Sequence, residues 1–156
     1  MKLITVPYVV GLLLGVFALV FGMSANLTNL GKLKLFLDPS SFALVFVPIV
    51  GTLLIGCRGY FISSVTSIWK RDVDNQTLDR SIQFWKAAKR YAIASGFIGT
   101  LMGLVIILMA MGDDPGGIGP AMSIAIITVY YGLIMGYLVF DPIACSLETR
   151  KEVTEP

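Results

Sequence analysis

Two threonines, each in a long apolar segment, are the side chains best suited to chemistry inside a membrane. Thr100 and Thr128 lie in segments that contain no acidic, basic or histidine side chain. Their hydroxyl oxygens could line a polar path for a passing ion, but a bare cation in hydrocarbon needs an anionic partner. If the chain helps ions to cross a membrane, the carboxylate must therefore come from another polypeptide.

Small residues recur beside both threonines at helical spacing, so each set falls on one helical face. The residues are Gly96, Gly99 and Gly103 beside Thr100, and Ala121, Ala125, Gly132 and Gly136 beside Thr128. Helix packing is one interpretation, because small residues let backbones approach and threonine hydroxyls bond back to carbonyls. A polar path is the other, because a rise of about 1.5 Å per residue places the hydroxyls at comparable depths, roughly 14 Å from Tyr91 and roughly 20 Å from Asp141.

The composition indicates an integral membrane protein. Of 156 residues, 56% are hydrophobic and 14% charged, whereas a soluble domain usually carries about a quarter charged residues. A membrane helix needs roughly 20 mostly apolar residues. Four stretches qualify or nearly so, at residues 3–23, 39–57, 91–112 and 115–140. We therefore predict an all-α integral membrane protein, with four transmembrane helices in a single membrane domain over residues 1–156.

The segment between spans two and three, residues 58–90, is too small for a catalytic domain. Apolar residues at three-to-four spacing on both sides of a polar turn predict a short helical hairpin there. The later half carries Leu78, Ile82, Trp85 and Ala92, while Tyr60 to Trp69 can prolong span two as an amphipathic helix.

Basic residues indicate the orientation of the chain in the membrane. Segment 58–90 is rich in lysine and arginine, the tail 141–156 carries Arg150 and Lys151, and the turn between spans three and four has none. Because cytoplasmic loops carry the excess of lysine and arginine, we predict that both termini and the hairpin are cytoplasmic. This charge pattern requires no nucleic-acid partner. With no histidine in the chain, histidine-based metal or acid–base chemistry is excluded within it. We also predict no metal site, no catalytic residue and no cofactor.

Several spaced motifs in the second half carry a resemblance to a known family. They are the run from Gly96 to Val105, then Asp113-Asp114-Pro115, the run from Ile118 to Met122, Tyr131-Gly132-Leu133, and the run from Val139 to Ala144. Together they resemble the last two spans of the MotA/TolQ/ExbB ion-channel family, most closely its flagellar stator branch. Segment 58–90 is far shorter than the cytoplasmic domain of stator subunits. The family's span-four threonine usually stands where this chain has Val129, and Thr128 is one residue earlier, about 100° around the helix.

The resemblance implies an ion-channel subunit of a motor driven by ion-motive force in the bacterial inner membrane. It implies a homopentamer around two copies of a MotB/PomB/ExbD-like single-span subunit that supplies a membrane aspartate. Thr100 matches the pore threonine, and Pro142 matches a proline hinge at the inner end of span four. The transported ion would be Na+ or H+, and a rotor or other load protein would bind on the cytoplasmic side.

For the remaining small residues we predict helix packing and partner contact, namely Gly96, Gly99, Gly103, Ala125, Gly132 and Gly136. Two alternatives to a flagellar stator stay open. One is a TolQ/ExbB-like energiser of another envelope process. The other is a four-span structural scaffold or small transporter, although small transporters usually keep an acidic residue within a span and this chain has none. None of these readings is an enzyme.

Overall fold

In the computed structural model of the chain, most of the described residues are helical and none of them lies in a strand. These residues are 10–11, 13–15, 17–18, 21–22, 37–57, 59–68, 73–113 and 118–154. The chain divides into two units, residues 1–40 and 41–156. The all-α prediction is confirmed for the described part of the chain.

Three helices are long and apolar enough to cross a membrane, namely Pro39–Gly56, Asn75–Met109 and Ile118–Glu152. They correspond to the predicted second, third and fourth spans. The predicted first span, residues 3–23, lies largely outside the described residues, and those described between positions 10 and 22 are helical.

Helix α1, Pro39–Gly56, begins where the sequence predicts. The Asp38 carboxylate accepts hydrogen bonds from the Ser40 backbone N–H at 3.4 Å and from its hydroxyl at 2.7 Å. An aspartate in this position satisfies an otherwise free backbone donor of the first turn, and proline fits that turn because it has no N–H to lose.

A turn follows α1, so the chain does not prolong span two as a continuous helix. The backbone N–H groups of Tyr60 and Phe61 both bond to the Cys57 carbonyl at 3.1 Å. Gly56 and Gly59 flank the turn, and glycine is a poor helix former. The short helix α2, Phe61–Thr66, begins after it. The hydrogen bond between the side chains of Tyr60 and Cys57 raises the pKa of the Tyr60 phenol.

Helix α3, Asn75–Asp113, joins the second half of the predicted hairpin to the third predicted span without a break over 39 residues. The residues whose spacing predicts its buried face, Leu78, Ile82, Trp85 and Ala92, are all buried. Helix α2 packs on this face, because the Trp85 indole N–H donates to the Ser64 carbonyl at 3.3 Å. Helix α2 thus packs on the first part of α3, and the cytoplasmic location of this hairpin stays a prediction.

The last part of the chain is one helical rod with an irregular middle. Helix α4 covers Ile118–Leu133, π-helical turns cover Ile134–Phe140, and helix α5 covers Asp141–Thr154. We call residues Ile134–Phe140 the π segment. The Asp141 N–H bonds to the Gly136 carbonyl, five residues earlier. Pro142 follows directly. Its missing N–H and bulky ring disfavour regular α-helical bonding at this point.

The core of the unit 41–156 lies where α1, α3 and the rod of α4, the π segment and α5 meet. Its members are Val45, Ile49, Leu53 and Cys57 of α1, Leu78, Ile82, Phe84, Trp85, Ala88 and Ala92 of α3, and Phe140, Ala144 and Leu147 of the rod. Farther along α3, large apolar side chains such as Phe97 and Leu101 are more than half exposed. Such apolar surfaces can pack against lipid chains or against other membrane helices.

Candidate site at the contact of α3 and α4

The two stripes of small residues face each other inside the chain. A Cβ atom added to Gly99 would lie 2.8 Å from Thr128 Cβ, and one added to Gly103 would lie 2.6 Å from Ala125 Cβ. A Cβ added to Gly132 would lie 2.6 Å from the Ala92 carbonyl oxygen. Real Cβ atoms do not approach other atoms this closely, so these glycines set the spacing between α3 and α4.

The two threonine hydroxyls meet at one backbone carbonyl. Thr100 Oγ1 lies 2.8 Å from the Ala125 carbonyl oxygen and 3.1 Å from that of Gly96. Thr128 Oγ1 lies 3.0 Å from the same Ala125 oxygen. A hydroxyl has one proton to donate and two lone pairs. With its proton directed to a carbonyl, each hydroxyl keeps acceptor capacity only.

The two threonines differ in exposure. Thr128 is completely buried against Gly99, whereas Thr100 is partly exposed. Val129, at the position where the family usually has its threonine, follows Thr128 directly and is half-buried. Thr128 is therefore placed for packing between α3 and α4, whereas part of Thr100 stays accessible outside this contact.

The remaining predicted site residues all lie at the contact of α3 with the rod. Gly96, Gly99, Gly103, Ala125, Gly132 and Gly136 are buried. These residues thus pack α3 against the rod within one chain. Their contact with a partner stays a prediction. Pro142 lies in the first turn of α5, directly after the π segment. Its role as a hinge also stays a prediction.

Ion pairs join the first part of α3 to α5. Lys89 Nζ lies 2.9 Å from Asp141 Oδ2, Lys151 Nζ lies 2.8 Å from Asp79 Oδ1, and Lys86 pairs with Glu148. No local pattern in the sequence predicts these pairs, because their members are far apart along the chain. The pairs fix how α5 lies on α3.

The contact between α3 and α4 supplies oxygen atoms and apolar walls without an ionisable group. Segments 91–112 and 115–140 contain no carboxylate, lysine, arginine or histidine. Among the described residues, no three or more histidine, cysteine or acidic side chains form a group that could hold a metal ion. The arrangement can offer hydroxyl and carbonyl oxygens to an ion, but it carries no charge to hold one.

A family model matches residues 58–155, which includes α2, α3, α4 and α5; it is described as the MotA/TolQ/ExbB proton channel family. The match covers more than half of the chain. The chain belongs to the MotA/TolQ/ExbB family. This membership confirms the resemblance carried by the motifs between Gly96 and Ala144. It also agrees with the prediction that the protein is not an enzyme, because the family consists of ion channels.

Individual relatives in the MotA/TolQ/ExbB family match shorter stretches. Chemotaxis protein PomA of Vibrio alginolyticus is 52% identical over 61 residues, 39% of this chain and 24% of the relative. Motility protein A of Cereibacter sphaeroides is 49% identical over 63 residues, which is also 39% of this chain and 24% of the relative. The uncharacterized protein YtxD of Bacillus subtilis (strain 168) is 44% identical over 68 residues, which is 44% of this chain and 25% of the relative. The matched part thus spans about a quarter of the length of these MotA/TolQ/ExbB relatives.

Proposed function

We propose that this chain is the channel-forming subunit of an ion-driven motor of the flagellar stator type, in the bacterial inner membrane. Family membership and the similarity to proteins named for chemotaxis and motility support this function. The observation that carries the proposal is the oxygen-lined contact between α3 and α4, which has two hydroxyls and no charge. Such a wall needs a carboxylate from a partner before a cation can pass.

In this proposal the ion path runs along the accessible side of Thr100. Its proton is directed to the Ala125 or Gly96 carbonyl, so its lone pairs are what it can offer. They can ligate Na+ or accept a hydrogen bond from a protonated carboxyl group. Thr128, buried behind Gly99, shapes the path by keeping α3 and α4 in register.

We propose that the partner is a MotB/PomB/ExbD-like single-span subunit, present as two copies inside a homopentamer of this chain. The small residues of α3 and α4 are occupied within the chain, so neighbouring helices would pack against other surfaces. Exposed apolar side chains on α3 and α4, among them Phe97, Leu101, Met122 and Ile126, are available for this purpose. Both termini and the hairpin would face the cytoplasm, in agreement with the placement of basic residues.

The cytoplasmic parts of α3 and α5 would carry movement from the membrane to a load. Because each continues a predicted span and ion pairs join the two, they form a braced extension. The second candidate function is a TolQ/ExbB-like energiser of another envelope process. It is favoured by the short segment 58–90, which offers less surface to a flagellar rotor than a long cytoplasmic domain.

Reconstitution in liposomes tests the proposed function directly. We expect no selective Na+ or H+ flux with this chain alone, and flux when its single-span partner is co-purified with it. The matched control replaces the partner's membrane aspartate with asparagine, which should abolish flux without preventing assembly. Robust selective flux through the chain alone would contradict the proposal.

A further inference from the structure

Lys89 contacts the rod at the place where its helix is irregular. Its ammonium group lies 4.5 Å from the centroid of the Tyr137 ring, within the π segment, and 2.9 Å from the Asp141 carboxylate at the start of α5. The Lys89 carbonyl oxygen lies 3.4 Å from where a Cβ on Gly136 would be. One residue of α3 therefore lies against the π segment through both its backbone and its side chain.

The π segment is the part of the rod that could change its winding. The Asp141 N–H bonds to a carbonyl five residues earlier instead of four, so the segment holds more residues per turn than an α-helix does. π-helical turns are rare and are found mostly at functional sites. A shift of one residue in this bonding would turn α5 by about 100° and move it by about 1.5 Å relative to α4.

On either side of the π segment, the rod is fixed to α3 by different means. Before it, the glycine contacts at Gly99 and Gly103 hold α4 closely. After it, the pair of Lys86 with Glu148 and the pair of Asp79 with Lys151 hold α5. A turn of α5 against α4 would therefore take place in the π segment. It would break the Lys89 contacts together with the two ion pairs of α5.

We propose that Lys89 is a positioning residue, a latch that holds the π segment in its observed winding and must be released for α5 to turn. The contacts suit a reversible latch. The side chains of Lys89 and Asp141 are 26% and 45% exposed, and ion pairs with that exposure are weak and screened by salt. Cation–π contacts near the surface are also weak. The proposal rests on the proposed function only where it concerns ion-driven movement.

The structural test is hydrogen exchange of backbone amides in the full chain, purified in lipid nanodiscs. We expect Lys89→Met to speed exchange in residues 134–145 by about three- to fivefold, the size expected from losing weak contacts of this kind. Lys86→Met is the matched control, because it removes an ion pair to α5 without touching the π segment. It should speed exchange in the π segment clearly less than Lys89→Met does.

Swapping the two charged residues distinguishes a latch from a general loss of stability. Combining Lys89→Asp with Asp141→Lys should restore much of the slow exchange, and added salt should speed exchange in the parent but not in Lys89→Met. Unchanged exchange in Lys89→Met, or an equal effect of Lys86→Met, would overturn the proposal. A spread of faster exchange over all of α3 and α4 would also overturn it, because a latch acts locally.

Flux measurements with the single-span partner then connect the latch to function. We expect Lys89→Met to alter partner-dependent flux, and the charge-exchanged pair to recover it. If the parent shows no flux with the partner, the proposed function fails, while hydrogen exchange still decides on the latch. If exchange responds as expected but flux does not change, the latch has no role in ion-driven movement and the proposal is overturned in that respect.

Discussion

At the residue scale, the two threonines have similar chemistry but different surroundings. Both hydroxyls point to the Ala125 carbonyl, yet only Thr100 is partly exposed and Thr128 is completely buried. Since a hydroxyl keeps its lone pairs after donating its proton, exposure decides which oxygen an ion can reach. The same substitution should therefore have different consequences at the two positions.

We expect Thr100→Val to assemble normally with the partner and to conduct poorly. The substitution keeps the shape and removes the hydroxyl, so stability should fall by only about 1 kcal/mol, while the ion loses a ligand. Flux in liposomes measures the effect, and Thr100→Ser, which keeps the hydroxyl, is the control. A fully active Thr100→Val together with an inactive Thr128→Val would show that the pore face is misassigned. Failure of Thr100→Val to assemble would favour a packing role alone.

We expect Gly99→Ala to destabilise the contact between α3 and α4. The added Cβ would lie 2.8 Å from Thr128 Cβ, which is part of a well-packed helix contact, and overpacking of this kind costs about 1–3 kcal/mol. Thermal unfolding in detergent measures the loss. Gly51→Ala in α1 is the matched control, because a Cβ there meets nothing within 4 Å. Equal unfolding temperatures for the two variants would contradict the close packing.

At the element scale, α3 is the organising helix of the unit 41–156. Its first part contacts α2 through Trp85 and Phe84, and the centroids of the Phe84 and Phe61 rings lie 5.3 Å apart in an edge-on contact. Its middle part contacts α4 through glycines, and α5 joins it through ion pairs. Because α3 runs without a break over 39 residues, it joins the part that contacts α2 to the part that contacts α4.

We expect Trp85→Ala to release α2 from α3. The indole is buried, meets the rings of Phe84 and Phe140, and donates to the Ser64 carbonyl, and truncation of a buried tryptophan costs about 3–5 kcal/mol. Limited proteolysis should then cut between residues 57 and 75 in the variant much faster than in the parent. Trp85→Phe keeps an aromatic ring and should protect this segment better. Equal cutting rates for parent and Trp85→Ala would show that α2 is held by other contacts.

At the scale of the whole molecule, the proposed assembly places this chain in a pentamer with α3 and α4 facing the central axis. The glycines of α3 and α4 already make their close contacts within one chain. The number of copies in the assembly therefore depends on the remaining apolar surfaces of these helices. We expect native mass spectrometry of the purified protein to give five copies of this chain, and two copies of the partner when both are co-expressed. Another copy number, or a structure with α1 lining the axis, would rule out this arrangement.

The orientation of the chain gives a second prediction at this scale. Cys145 is exposed on α5 and Cys57 is buried. Because the placement of basic residues predicts that α5 is cytoplasmic, a membrane-impermeant maleimide should label Cys145 in inverted vesicles but not in intact cells stripped of their outer membrane. The Cys57→Ser variant serves as the control that excludes labelling at Cys57. Labelling in intact cells would reverse the predicted topology.

The sequence by itself determined the second, third and fourth helical spans, the buried face of α3 and the family. Long uncharged runs can satisfy their backbone in a membrane only as helices, and the spacing of Leu78, Ile82, Trp85 and Ala92 indicates the buried face of α3. The small residues beside Thr100 and Thr128 are also evident from periodicity. All these features depend on residues that are near each other in the chain.

Only the tertiary structure decided what those faces contact. The sequence left packing and a polar path as alternatives for the threonines, and the structure buries Thr128 against Gly99 while leaving Thr100 partly exposed. The turn after Gly56, the π segment and the pairing of Lys89 with Asp141 were likewise not predicted. The pairing and the burial depend on the register between helices distant in sequence, which is set by the closest approach of their glycines and which no local pattern of residues encodes.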